Sequence, residues 1–367
     1  MTSTTPISAD PSGLSSSSRT FILASRASKL AQIQTNIVRD GLGAAFPAYS
    51  FDTSFMTTEG DKNQSQALYL LGGKALWTKE LEVALKEKAV DMLVHSLKDV
   101  PTLLPEGCEI GAILERENPV DSLVVKQGLG YKTLDDLPDG SVVGTSSVRR
   151  VAQLRKSFPK LNFLDVRGNL NTRIAKLDAP DGPYTALILA KAGLVRLGMG
   201  DRVTCDITAP ILYHAVSQGA LAVEIRSDDH EIRELCKALT HQETEWKCLA
   251  ERALLRTLEG GCSVPVGVDT ELSEVVKGDG GIKTGTLKII GCVTSIDGTK
   301  HVEAVQVKQV TSIQEAEELG VTLAAQLMDQ GARQILLDIT QDRVRRGKEA
   351  KTVEETGKIE TTLATPA

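Results

Sequence analysis

GTSSVRR (residues 144–150) joins a short apolar run at 141–143 to a helical pattern through Val151, Leu154 and Phe158. A strand that ends in glycine and three hydroxyl residues before a helix points backbone N–H groups and the positive helix end away from the sheet. RGNLNTR (residues 167–173) echoes it, after a predicted strand over 162–166 and leading into a predicted helix over 170–177. Arg149, Arg150, Arg167 and Arg173 therefore fall at or just beyond strand ends, where open α/β sheets hold their ligands. Their planar, forked donors suit carboxylate or phosphate. Any one of them is equally well read as a solvated helix-face arginine. Their clustering in two successive strand-to-helix turns favours an anion site.

Length and composition bound what such a site can serve. At 367 residues the chain exceeds a single hydrophobic core, so two or three domains are expected. Apolar residues make up 41% and mean hydropathy is −0.09, as in soluble globular proteins. The net charge of −6, from 42 basic and 48 acidic residues, argues against nucleic acid or an anionic membrane as the partner. Aromatics at 4% are too few for base-stacking platforms. No window has the apolar length of a transmembrane helix. The Ser/Thr-rich tail over 1–19 has no apolar core and only Arg19 as a basic residue, so it reads as disordered and as neither a signal nor a transit peptide. The six cysteines, Cys108, Cys205, Cys236, Cys248, Cys262 and Cys292, lack CxxC spacing. That suits a reducing cytoplasm and offers no metal site.

In chain order, residues 20–25 read as a first strand, and Leu30, Ile33 and Ile37 as the stripe of a helix to about residue 42. Ser25-Arg26-Ala27-Ser28 between them is another hydroxyl-and-arginine turn. Residues 51–57 alternate as a strand. A Gly72-Gly73-Lys74 loop then precedes a helix predicted to be capped by Thr78, with Leu81 and Leu85 inward and Glu82 paired with Lys86. The apolar strand 90–94 runs into His95-Ser96-Leu97-Lys98-Asp99-Val100-Pro101. A lysine beside an aspartate just past a buried strand suits catalysis. A surface turn with a self-neutralising ion pair explains the pattern as simply, and His95 reads as a hydrogen-bonded structural residue.

The charged run 115–121 marks a crossing between domains. Residues 184–190 form a further strand ending in Lys191-Ala192-Gly193, with Arg196 just after, and 219–225 read as a turn and a strand able to pair back into the first sheet. Two α/β lobes joined by two crossings enclose a ligand cleft. Beyond about residue 240, an amphipathic helix carrying Trp246, Leu249, Ala250, Ala253, Leu254 and Leu258 ends at Glu259-Gly260-Gly261, followed by Cys262-Ser263-Val264-Pro265. Strands over 286–293 and 301–309, then helices from Ser312 and Gly331, complete a small α+β unit. The expected division is a tail over 1–19, a first lobe over 20–116 and 217–240, a second over 117–216, a C-terminal domain over 241–345 and a disordered tail over 346–367.

Lone cysteines are mostly inert buried hydrophobes, but the glycines and hydroxyl beside Cys262 would expose its sulfur. Phosphate-loop, HExxH and GxSxG patterns are absent. Three features remain: an anion-lined cleft between lobes, a Lys-Asp pair and a thiol on a loop. Two readings fit them directly: an anion-binding or effector-sensing protein without catalysis, and a Schiff-base enzyme using Lys98, whose pKa the neighbouring arginines would lower.

ASRASKLAQIQT from Ala24, GGKALWTKELEVAL from Gly72, VHSLKDVP from Val94, GTSSVRR, RGNLNTR, VSQGALAVEIR from Val216 and EGGCSVPVG from Glu259 together resemble the porphobilinogen deaminase (hydroxymethylbilane synthase) family, in the same order over about residues 20–340. The resemblance implies an α/β fold of two periplasmic-binding-protein-like (type II) lobes plus a smaller α+β C-terminal domain. It implies a transferase that joins four porphobilinogen molecules onto a dipyrromethane cofactor and releases hydroxymethylbilane; apart from it, the cysteine pattern reads as cytoplasmic, and with no heptad or extended apolar patch a monomer is the default expectation. By the same resemblance, Cys262 carries that cofactor through a thioether, Asp99 is the catalytic carboxylate with Lys98 beside it, and Ser28, Lys98, Asp99, Thr145, Ser146, Ser147, Arg149, Arg150, Arg167 and Gln218 contact the cofactor. Arg26, Arg149, Arg150, Arg173, Arg196 and Lys74 are implied to receive substrate. Three positions depart from the common pattern: Ala24-Ser25 before Arg26 where Gly-Thr is usual, Trp77 for Phe, and Ser217 for Gly. None removes a charge or the thiol.

Overall fold

A computed structural model of the chain describes residues 19–58, 77–258, 264–278, 281–342 and 344–345. Four strands open the chain: β1 (Thr20–Arg26), β2 (Ser50–Met56), β3 (Met92–Ser96) and β4 (Cys108–Ile113). The chain then crosses to β5 (Asp121–Val125), β6 (Val142–Gly144), β7 (Asn162–Leu164), β8 (Ala186–Ala190) and β9 (Cys205–Ile207), and returns through β10 (Leu221–Arg226). The sheet orders are β2-β1-β3-β10-β4 and β7-β6-β8-β5-β9. Each sheet has a parallel core, β1 with β2 and β3 or β6 with β7 and β8. Each also takes one antiparallel strand directly after a crossing, β10 in the first and β5 in the second. The two sheets therefore share one topology, the type II arrangement. Helices follow from local chemistry: Ser28 Oγ accepts from the Ala31 amide at the start of Lys29–Ala45, and Asp229 caps His230–Lys237 in the same way.

The two crossings run side by side, with the Leu114 amide donating to Leu221 O and the Glu117 amide to Gly219 O. Gly219 has φ +90°, and a Cβ there would sit 2.2 Å from Glu117 O, so only glycine fits between the strands. Ser217 has φ +60°. A glycine at that position is free of strain, whereas serine bears about 1–2 kcal/mol; the Ser217 amide is held there by a 2.6 Å bond to Glu251 Oε2.

The third unit is the antiparallel meander β11 (Val266–Gly278), β12 (Gly281–Thr294) and β13 (His301–Val310). Helices Gln242–Thr257 and Ile313–Leu327 pack on it through Trp246, Leu254, Leu287, Ile289, Leu323 and Leu327. The second helix passes through a wider turn, Met328–Ala332, where Gly331 takes φ +112°, before helix resumes over 333–342.

Several local expectations shift. The strand predicted at 90–94 runs 92–96, because Asp91 is used to pair with the Ile22 backbone, and His95 lies inside the strand. Lys191-Ala192-Gly193 begins the helix Lys191–Arg196 instead of ending a strand. Thr78 precedes helix Lys79–Lys86 without a side-chain capping bond. Glu82 does not pair with Lys86; it is buried, and its carboxyl is pushed up by that burial. β4, β5, β9, β11 and helix His230–Lys237 are not among the sequence expectations; β11 is charged and half-exposed over most of its length.

Candidate active site

Between the lobes lies a cavity of about 560 Å³. Its wall includes Arg26 and Ser28 from the end of β1, Lys98 and Asp99 after β3, Ser146, Ser147, Arg149 and Arg150 after β6, Arg167 and Arg173 after β7, and Arg196 and Gln218. Among the described residues, eight Lys/Arg side chains line it against one carboxylate, Asp99. Thr145 is buried but off the wall; its hydroxyl accepts from the Ser147 amide, shaping the turn from behind. Lys74, with Gly72 and Gly73, and Cys262 lie outside the described residues. Val264, two positions after Cys262, lines the cavity with Leu255 and Val266.

The turns keep their shape through tight packing and reciprocal bonds. A Cβ at Gly144 would meet the Leu187 and Tyr184 side chains at 2.4 and 2.8 Å, so any larger residue there must displace them. Ser146 Oγ donates to Val166 O at 2.7 Å and accepts from the Val166 amide at 3.2 Å, stapling the GTSSVRR turn to its echo. The Lys98-Asp99 turn is a short 3₁₀ segment, Leu97–Asp99, anchored by buried Leu97 and Val100. Arg252, from the C-terminal helix Gln242–Thr257, donates to Val100 O and Pro101 O at 3.1 and 2.6 Å and so holds that turn from below.

The arginines after β6 are neither solvated nor alone. Asp121, absent from the sequence expectation as a site residue, lies 2.7 Å from both Arg149 and Arg150 and accepts from Gln218 Nε2 at 2.9 Å. Burial would raise its pKa, but the two guanidiniums override that and hold it far below the usual carboxylate range. Burial also lowers Arg173, to about 10, with Arg150 and Arg167 adding to the effect. Arg26 stacks over the Trp77 indole at 4.1 Å, so the departure from phenylalanine supplies a stronger cation–π face. Gln34, another unanticipated wall residue, bonds Ser96 at 2.9 Å; the expected stripe of Leu30, Ile33 and Ile37 hid it, because the buried face of this helix is Ala31, Gln34, Thr35, Val38 and Leu42, with Ile37 exposed. His95 points away from this chemistry, its Nε2 3.0 Å from buried Glu224.

Lys98 donates to Gln218 Oε1 at 3.2 Å and forms no ion pair with Asp99, so the surface-turn reading fails. Its pKa is pulled down to about 8, first by burial; Asp99 opposes the shift, and Arg150 adds to it. The direction matches the sequence expectation, but solvent exclusion leads and the arginines follow. In the ligand-free chain the unfolded state keeps this proton up to higher pH, so stability from this group rises between about pH 8 and the ordinary lysine value. A bound carboxylate restores the charged form, so ligand binding above pH 8 takes up a proton and weakens as pH rises. Calorimetric titration with a small dicarboxylate in buffers of different ionisation enthalpy reads this uptake, which Lys98→Met should abolish.

Residues 21–234 match the family model for the porphobilinogen deaminase, dipyromethane cofactor binding domain, and residues 246–329 that for the porphobilinogen deaminase C-terminal domain. A porphobilinogen deaminase of Yarrowia lipolytica is 52% identical over 316 residues, covering 85% of this chain and 90% of its own. One from a Nostoc species is 50% identical over 323 residues, covering 88% and 95%. Among solved structures, the periplasmic VFT2 domain of Bordetella pertussis BvgS aligns over 60% of this chain and 86% of its own, with a TM-score of 0.34 and 12% identity. That likeness is slight, and the fold assignment rests on the strand orders. Among the described residues no helix is long and apolar enough to cross a membrane. With both family models matched in order and half the residues shared with relatives over most of its length, the chain belongs to the porphobilinogen deaminase family.

Proposed function

We propose that the interlobe cavity is where porphobilinogen is deaminated and joined to a growing pyrrole chain, with Asp99 as the catalytic carboxylate. The activity of the family is the head-to-tail assembly of four porphobilinogen molecules into hydroxymethylbilane, for tetrapyrrole biosynthesis, on a dipyrromethane cofactor. The observation that carries the site assignment is, among the described residues, the single carboxylate amid eight cations. Every pyrrole unit brings an acetate and a propionate, and these need cationic partners. Loss of ammonia from the aminomethyl carbon leaves a cation delocalised over the substrate pyrrole, and a fixed carboxylate in a low-dielectric cleft stabilises that charge as it develops. Asp99 also accepts from pyrrole N–H groups and is placed to hold a proton during transfer.

The donor set fits dipyrromethane, a group with several acid side chains and two pyrrole N–H groups. Ser28, Lys98, Ser146, Ser147, Arg149, Arg150, Arg167 and Gln218 would hold its acids, Asp99 its ring N–H groups, and Thr145 would act through the turn it shapes. When bound, the cofactor supplies the pyrrole end to which units are added. Arg26, Arg173, Arg196 and Lys74, with the arginine pair, receive the incoming substrate in this reading. Cys262 is the proposed thioether anchor, supported by the position of Val264 on the cavity wall. Cys262→Ala protein should carry no covalent pyrroles, and its intact mass should equal that of the bare chain. Adducts that survive denaturation of this variant would remove the anchor assignment.

The domain division proposed is 20–116 with 217–240, 117–216 and 241–345, supported by the strand membership of the three sheets. A cytoplasmic location is proposed, supported by the free state of the five described cysteines, and a monomer is proposed as the default form.

A further inference from the structure

Asp121 opens β5 where the chain enters the second lobe, and its carboxylate is fully buried. Oδ1 accepts from Arg150 Nε at 3.1 Å, Arg150 Nη2 at 2.7 Å and Gln218 Nε2 at 2.9 Å, while Oδ2 lies 2.7 Å from Arg149 Nη2. Asp121 is not on the cavity wall, whereas both arginines and Gln218 are. Further protein bonds aim the same arginines: Arg149 Nη1 donates to Tyr213 O at 2.5 Å and Arg150 Nη1 to Ile188 O at 2.8 Å. Gln218 accepts from Lys98 across the cleft and donates to Pro119 O in the first crossing. One anion thus ties two second-lobe arginines to the paired crossings and, through Gln218, to the Lys98-Asp99 turn of the first lobe.

Two buried guanidiniums facing a cleft with no fixed counter-charge would grip a substrate acid without releasing it, because low dielectric strengthens every such pair. An enzyme that adds units in succession must let each acid group move on. We propose that Asp121 is a positioning residue for chain elongation: it fixes the direction of Arg149 and Arg150 and cancels one of their two charges, so that substrate acids are oriented yet exchange. This rests on the reading that the cleft holds the growing chain.

The test uses holoenzyme and two variants. Asp121→Asn keeps the shape and removes the charge. It should lower kcat at least about tenfold while KM for porphobilinogen stays equal or falls, and pyrrole adducts should accumulate in the intact mass. Asp121→Glu keeps the charge and displaces both arginines by a methylene, so KM should rise several-fold with the wild-type adduct pattern retained. A merely structural carboxylate would raise KM and lower kcat together in both variants with unchanged adducts, and that result overturns the proposal. If Asp121→Asn cannot be isolated with its cofactor, Asp121→Glu decides alone, since unchanged KM or accumulating adducts there is equally fatal. Should neither variant retain cofactor, Asp121 is a folding anchor and the proposal falls. Wild-type enzyme without any pyrrole adducts would instead overturn the reading of the cleft itself.

Discussion

Asp99→Asn should lower turnover by about 10²–10³-fold, the loss typical when one preorganised partner of a developing charge is removed, with little change in folding or cofactor content. The side chain sits on a turn that lines the cavity and is clamped from two sides, by buried Leu97 and Val100 and by Arg252 beneath. Asparagine preserves size and the ability to accept from a pyrrole N–H, so binding should survive. What it lacks is the negative charge, and among the described residues the cationic wall offers no replacement. Single-turnover release of ammonia, followed beside the intact mass, separates the chemical step from assembly. Normal ammonia release would remove Asp99 as the stabiliser of the cation.

Arg116→Gln should destabilise the fold by about 3–5 kcal/mol, the cost of leaving one member of a buried ion pair alone. Arg116 forks onto Glu251 at 2.6 and 3.0 Å, with side-chain exposures of 6% and 0%. Its Nε also donates to Gln218 O at 2.7 Å, and Glu251 accepts from the Ser217 amide and from Thr270. This pair therefore fastens both crossings to helix Gln242–Thr257 and to β11. The pH dependence gives a second signature. Burial alone would raise the Glu251 pKa, and Arg116 brings it below the ordinary value, so the pair's contribution is present above the unfolded carboxylate pKa and is lost as pH falls. Without Arg116 burial dominates and the glutamate must protonate in the folded state, so the gap between wild type and variant should narrow on acidification. Denaturant midpoints at neutral and mildly acidic pH measure both effects; a gap that widens in acid contradicts this account. Arg116→Lys, which keeps charge but not the fork, should fall between the two.

Much of this architecture was legible in local chemistry. Glycine and hydroxyl residues between an apolar run and a helical stripe state what the backbone must do within a few residues, which is why the turns at 144–150 and 167–173 were readable and their arginines do line one cavity. The return of β10 to the first sheet was readable for a similar reason, as an apolar run behind a glycine turn. The departures were visible too, but only φ +60° at Ser217 explains why glycine is usual there.

Partnerships across the chain were another matter. Asp121 looked like one charge in a linker, and its partners Arg150 and Gln218 stand 29 and 97 positions away. Arg116 and Glu251 are separated by 135. Side-chain type announces that a charge needs a partner, yet which partner it meets depends on how sheets and crossings come together. Lys98 shows the same division: the arginines expected around it suggested a lowered pKa, but the main cause is exclusion of water, a property of the assembled cleft that no residue possesses alone.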